Sequence, residues 1–442
     1  MALTMDSVLA LAPDEASAKA ARGLTAPAKW PTLGADDHSV WGECQGSGAK
    51  PYQTSADLNG PAFRCSCPSR KFPCKHGLAL LLIQVQNPDL FNGKARPEWV
   101  TEWLNSREAK AQKKEERQAV AAAQPVDPAA AQKRQSQRWT RMSDAAQELA
   151  QWLSDQMARG IGSFNPEALK QWHVMAARMV DAQAPGLAQR IRDAAQVVNQ
   201  GEDWAERLLR RLGLLYLACE AVSRRESLDA DLQAELRMVL GWPYDKAEVL
   251  EQGAKLRDRW QVLGVAQQER DDRLTERRVW LQGQDSGRRA LVLDHAHGGR
   301  GFEQAWLTGA VFDATLAFFP GTGASRALCV DRVEAPPCVV PQPDWAMEWQ
   351  AVAERVAASP WTPLHPIVMR RAVAVMTGGR MHLVAEGQAL PAAIGTADAW
   401  RLLAASGGHP VSVMGEWDGE VFQPLTAWQP GEAVVLWQRL AS

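Results

Sequence analysis

No stretch of this chain stays apolar for the roughly 18–20 residues that a helix needs to cross a bilayer. The strongest apolar run, Gly77 to Val85, is too short, so no membrane partner is expected. The N-terminus lacks a basic region followed by an apolar core and a small-residue cleavage site. A secretory signal is therefore not expected, and the expected compartment is a reducing cytoplasm. An excess of positive charge is missing too: 49 Lys and Arg stand against 51 Asp and Glu, a formal net charge of −2. Any nucleic-acid contact would have to come from a local patch. Finally, the seven cysteines are odd in number, and three of them lie close together beside a histidine. That favours metal over a disulfide framework.

With 46% hydrophobic and 23% charged residues over 442 positions, the chain has the profile of a folded protein of two to four domains. Met5 to Arg22 reads as an Ala-rich helix closed by Gly23. Short strands are expected at 39–44, 52–58 and 63–67, with turns at Gly46-Ser47-Gly48 and Asn59-Gly60-Pro61. His76 to Val85 has Leu78, Leu81, Leu82 and Val85 on one helical face. A second helix starts near Pro97 and buries Trp99, Val100, Trp103 and Leu104. From Trp139 to about Leu263 the periodicity is helical, with stripes such as Leu149/Trp152/Leu153/Met157 and Leu169/Trp172/His173/Ala176/Val180. Asn165-Pro166 reads as an N-cap followed by an N1 proline. Beyond Gly264, alternating segments and the turns Gly378-Gly379 and Asp418-Gly419 predict strands and hairpins, interrupted by a helix at 345–357. The expected fold is α+β. It has a small ββ-α type zinc finger domain at 1–106, a linker at 107–137, a helical domain at 138–264 and a mostly-β domain at 265–442.

The chemistry concentrates in Cys65-Ser66-Cys67 and Cys74-Lys75-His76. Zinc prefers four nitrogen or sulfur ligands at tetrahedral corners, and three thiolates with one imidazole form a common structural set. Cys65 and Cys67, two apart on a strand, would leave the same face. The segment 68–73 turns the chain, and Cys74 and His76 arrive at the start of the leucine-rich helix. Four protein ligands leave no open position for water, so one structural Zn²⁺ is expected rather than a catalytic one.

The Cys-x-Cys-x(n)-Cys-x-His arrangement, with a strand before it and a helix after it, resembles the SWIM zinc finger. The run from Trp41 through Pro51-Tyr52 to Phe63-Arg64-Cys65 and Cys74-Lys75-His76-Gly77-Leu78 resembles bacterial SWIM zinc finger proteins in particular. The resemblance covers about residues 39–90 and implies Cys65, Cys67, Cys74 and His76 as the zinc ligands. It further implies binding of DNA or protein. Some of these proteins are encoded beside MoxR-type AAA+ ATPases and von Willebrand A-domain proteins, which suggests such proteins as partners.

Arg64, Arg70, Lys71 and Lys75 surround the ligands, with no acidic residue between Pro61 and Gly77. Two roles suit them: contact with phosphates, or compensation of a zinc–trithiolate centre of formal charge −1. The near-neutral chain favours the second. Lys133, Arg134, Arg138 and Arg141 read as a solvated face, Cys44 as a thiol of the core or one supporting the ligands rather than a fifth ligand, and His173 as a core histidine. His295 and His297 share a strand face without a third ligand nearby. Gly321-Thr322-Gly323 lacks the Walker lysine, so no nucleotide loop is expected there. No nucleophile–base signature is present. Most of the 19 tryptophans fall on stripes or strands, where packing is their ordinary use. The resulting expectation is a non-enzymatic, zinc-binding adaptor for protein–protein interaction. A DNA- or RNA-binding protein using the finger's basic face is the first alternative, and an enzyme with a site in the C-terminal region the second.

Overall fold

The computed structural model describes the chain except for residues 1–4, 10, 14, 47–49, 59–61, 70, 72, 92–94, 108, 110–127, 272–273, 298–301, 303, 324, 341–342 and 440–442. Four antiparallel strands, β1 Thr32–Ala35, β2 Ser39–Cys44, β3 Tyr52–Asp57 and β4 Ala62–Cys65, pair in sequence order. Against them packs α3, Lys75–Gln86. The leucine pattern suggested one buried face, yet every residue from Leu78 to Ile83 is fully enclosed. The second face is covered by α1, Met5–Leu9, and α2, Glu15–Arg22, through Val8, Leu9, Ala18 and Ala21. A helix apolar all round must be covered all round. The single N-terminal helix expected from Met5 to Arg22 is thus two. Pro13 lies between them, and its missing N–H and its ring oppose a continuous helix there. Helix α4, residues 98–107, buries Val100 and leaves Trp99, Trp103 and Leu104 half-buried.

Helix α5, Pro128–Arg159, begins inside the segment expected to be linker. It is followed by α6 Pro166–Asp181, α7 Pro185–Gln196, α8 Trp204–Ser223, α9 Ala230–Val239 and α10 Lys246–Gln252. Asn165 caps α6, its Oδ1 accepting from the N–H groups of Glu167 and Ala168 at 3.0 and 2.9 Å. The core of this bundle joins Leu149, Leu153, Trp172, Met175, Ala176, Met179, Leu208, Leu212 and Leu215. His173 is exposed rather than a core residue. The buried stripe of α6 runs through Trp172, Met175 and Met179, and His173 falls on its flank.

Helix gives way to strand at Lys255, before the boundary expected at 264. Strand β5, Lys255–Asp271, lies partly inside the span expected to be helical, although its start alternates exposed Lys255, Arg257 and Arg259 with Leu256, Asp258 and Trp260 at strand period. It closes a barrel with β6 Leu274–Gly283, β7 Arg289–His297, β8 Val311–Phe318 and β9 Arg326–Ala335. The strand order is β5-β6-β7-β9-β8, with β7 and β9 parallel and all other pairs antiparallel. That is the connectivity of a Greek-key barrel of the OB type. Its interior holds Trp260, Val262, Val279, Leu281, Val292, Leu316 and Phe318.

The C-terminal region is a separate six-stranded sheet in the order β12-β11-β10-β13-β14-β15. Its strands are β10 His365–Thr377, β11 Arg380–Ala385, β12 Gln388–Pro391, β13 Val411–Trp417, β14 Phe422–Trp428 and β15 Val435–Gln438. Helices α11, Trp345–Ala358, and α12, Thr396–Ser406, pack on it. Gly378 and Gly379 take φ of 56° and 75°, as a two-residue primed turn requires. Barrel and sheet are riveted by a buried ion pair. Glu416 Oε1 accepts from Arg278 Nε at 2.8 Å and from Trp280 Nε1 at 2.8 Å, while Oε2 accepts from Arg278 Nη2 at 2.9 Å. Arg289 and Glu348 form a second bidentate pair nearby, and Glu348 also accepts the Val368 N–H at 3.1 Å. No helix among the described residues is long and apolar enough to cross a membrane.

Candidate metal centre

The sulfurs of Cys65, Cys67 and Cys74 and a ring nitrogen of His76 all lie within 4.8 Å of one another. Zinc–sulfur bonds of about 2.3 Å and zinc–nitrogen bonds of about 2.0 Å place tetrahedral ligand atoms roughly 3.5–3.8 Å apart. Cys65 Sγ and His76 Nδ1 are 3.7 Å apart, so donor type and spacing both fit Zn²⁺. The Cys₃His group accounts for one structural zinc. Among the described residues no other Cys, His or carboxylate cluster of this kind gathers.

Each ligand has its own support. Cys65 ends β4, opposite Thr54 of β3, and Thr54 Oγ1 lies 3.3 Å from its sulfur. Cys67 does not continue the strand as its spacing suggested. It sits in a bend beyond it, after a last ladder bond from Ser66 N–H to Gln53 O at 3.0 Å. The bend, rather than a shared strand face, brings the two sulfurs together. Cys74 is the N-cap of α3, with φ −76° and ψ 164°. His76, within the first turn, is buried, with its ring centroid 5.0 Å from that of Tyr52. Gly77 permits this arrival: a Cβ there would stand 2.9 Å from Phe63 Cδ1.

The electrostatics show what a cation would meet. Cys74 is held well below the ordinary thiol range by the hydrogen bond from Cys65, with His76 and the Gly77 N–H helping against burial. A helix N-terminus favours a thiolate in the same direction. Cys65 is pushed up by donating to Cys74 and by burial, and burial raises Cys67. One thiolate thus holds the proton-bearing neighbours, and metal binding must displace their protons.

The basic residues do not form one free patch. Arg64 Nη1 donates to Trp99 O at 2.9 Å, tying α4 to the finger. Lys71 and Lys75 are exposed at either side of Cys74. Arg70 lies outside the described residues. Cys44 is buried in the finger's core, its thiol directed at Gln45 O at 3.9 Å, apart from the ligand group. His295 sits 3.7 Å from Glu276 with no metal cluster around it. Arg138 stacks on Trp242 at 4.3 Å, while Lys133, Arg134 and Arg141 are exposed. Sequence reasoning missed Tyr52, Thr54 and Gly77. Only the Thr54–Cys65 pairing could have been found, by aligning the β3–β4 hairpin.

Comparison with known families agrees with the geometry. Residues 64–84 match the SWIM zinc finger, and residues 137–240 match the SWIM-associated four-helix bundle domain. No characterised protein and no solved structure matches the chain significantly. The chain therefore carries a SWIM zinc finger, a module of protein or nucleic-acid interaction, followed by its associated helical bundle.

Proposed function

We propose that this protein is a non-enzymatic adaptor of the cytoplasm whose zinc folds the finger and whose helical bundle docks another protein. The observation carrying this reading is an apolar stripe on the outer face of α8. Leu209, Tyr216 and Leu217 are 52%, 40% and 45% exposed, and Gly213 between them has open space around it. Positions 209, 213, 216 and 217 recur at helical spacing, so they form one strip, the kind of surface that marks an interaction site. The partner this strip fits is an amphipathic helix laid along α8. MoxR-type ATPases and von Willebrand A-domain proteins are the first partners to try, on the strength of the family resemblance.

The rival reading, nucleic-acid binding, has less support. Arg64 is occupied by Trp99 O. The β6–β7 face, which OB-type barrels offer to oligonucleotides, is covered here by the C-terminal sheet through Arg278, Trp280 and Glu416. Affinity purification of the full chain with nuclease treatment separates the two. A specific protein should remain bound after nuclease and be lost in Leu217→Asp, with zinc retained. Loss of all partners on nuclease treatment, with DNA affinity falling steeply with salt and weakened by Lys71→Ala/Lys75→Ala, would put the rival first.

A further inference from the structure

Where α7 and α9 of the bundle meet the β8–β9 loop and the segment after α11, a cavity of about 190 Å³ opens. It is smaller than the roughly 300–1,000 Å³ of sites for drug-sized molecules, which points to an ion or the terminal group of something larger. Arg190 reaches it from α7 and Arg326 from the start of β9. One guanidinium N–H of Arg190 donates to Trp361 O at 3.0 Å. Arg326 lies over the Phe319 ring at 4.3 Å. Among the described residues neither has a carboxylate within ion-pair distance, and the carboxylates that act on them, Asp193 and Glu235 on Arg190 and Glu276 on Arg326, do so from further away. Each guanidinium carries five N–H donors, more than these contacts use. Desolvation makes both arginines poorer cations than in water, which is the penalty a bound anion would relieve.

Among the described residues Glu235 is the one carboxylate that lines this cavity. It is buried, with Oε1 accepting the Ser359 hydroxyl at 2.6 Å and Oε2 without a partner. Within the lining itself two guanidinia face one carboxylate, while Asp193 acts on Arg190 and Glu276 on Arg326 from outside it. The turn Gly321-Thr322-Gly323 closes the site from the barrel side: a Cβ on Gly321 would stand 2.6 Å from Glu235 Oε2. This turn lacks a Walker lysine, and the cations arrive instead from distant positions that no local motif reveals.

We infer that Arg190 and Arg326, with Ser325 in the same lining, form a binding site for a phosphate group at the junction of bundle and barrel. The surplus of N–H donors on two separate guanidinia exceeds what the two oxygens of a planar carboxylate accept, and suits the oxygens of a tetrahedral anion. The site is independent of the zinc and of the α8 strip.

The test is calorimetric titration of the zinc-loaded full chain, at constant ionic strength, with inorganic phosphate, AMP and acetate. Phosphate should bind saturably, and Arg326→Gln and Arg190→Gln should each weaken it at least tenfold with zinc content unchanged. Glu235→Gln, which removes the opposing charge, should tighten it several-fold. That opposite response keeps the test decisive if an arginine variant misfolds. Phosphate binding without AMP binding assigns the site to the free ion, and AMP binding at least as tight assigns it to a phosphate carried on a larger molecule. Absence of saturable phosphate and AMP binding, acetate binding as tight as phosphate, or affinity unmoved by Arg326→Gln and Glu235→Gln, would overturn the assignment.

Discussion

Replacing Glu416 by alanine is the sharpest probe of how the two β units hold together. Its side chain is fully buried and Arg278 is 8% exposed. The substitution removes both Arg278 bonds and the Trp280 bond at once. Arg278 would keep only Glu276 at 3.0 Å and Gln268 at 3.2 Å. Breaking one side of a buried pair costs about 3–5 kcal/mol; with Glu276 still offsetting part of the charge, the lower end, about 3 kcal/mol, is expected. Domains of ordinary stability hold about 5–15 kcal/mol, so the seam should loosen without global collapse. At about 1.4 kcal/mol per tenfold, amide hydrogen exchange in β6 and β13 should speed up roughly a hundredfold while α3 is unaffected. The double variant Arg278→Met/Glu416→Leu removes both charges and should recover most of the loss, because the cost lies in the orphaned cation. Exchange in Glu416→Ala accelerated by less than about fivefold, or a double variant as loose as the single one, would refute this reasoning.

Elemental analysis should find one zinc per chain, and Cys74→Ala should abolish it and unfold the finger around residues 41–85, since zinc contributes on the order of 10–16 kcal/mol in small fingers. The bundle and barrel should keep their cooperative melting. Gly77→Ala forces a Cβ to within 2.9 Å of Phe63 and should destabilise the finger by about 1–3 kcal/mol, the usual cost of overpacking, with Phe63→Leu as partial rescue in urea melts. His365 is buried, and desolvation followed by the Arg355 cation pushes it down from 6.5 to about 4. Because the neutral form is the one the fold holds, this stability is present above about pH 6.5 and is lost as pH falls toward 4, by about 3 kcal/mol. A pH series of melts should show the loss, and His365→Gln should flatten it.

Elements with strong local signals were legible from residues alone. Strand β2 occupies the expected span 39–44, and Gly378-Gly379 and the Asn165 cap do what their chemistry implies. The metal ligands were legible because four donors in so short a segment have few other uses. What failed had no local cause. The second cover of α3 depends on α1 and α2 folding back, which the Leu78–Ile83 run demands but does not specify. Strand β5 is the exception, since its period-two start is local but follows α10 after only two residues and was absorbed into the helical span. The phase of α6 misled by one residue because Trp172 and His173 are both compatible with a half-buried face, and only Leu149 and Leu153 across the core decide between them. The convergence of Arg190, Glu235 and Arg326 is set by the bundle docking on the barrel, and nothing near any of them in sequence records it.

The enclosed helix has a consequence for the life of the chain in a cell. Leu78 to Ile83 are covered on every side, yet the first turn of that helix is anchored by two metal ligands, Cys74 and His76. A newly made copy that has not met zinc has no means of fixing that turn, and its run of leucines stands open to chaperones and proteases. Such partly open chains are cleared in proportion to their population. The amount of this protein should therefore follow the zinc supply with no dedicated sensor or transcriptional control. A zinc-starved culture would lose it first by turnover, and would regain it at the speed of synthesis.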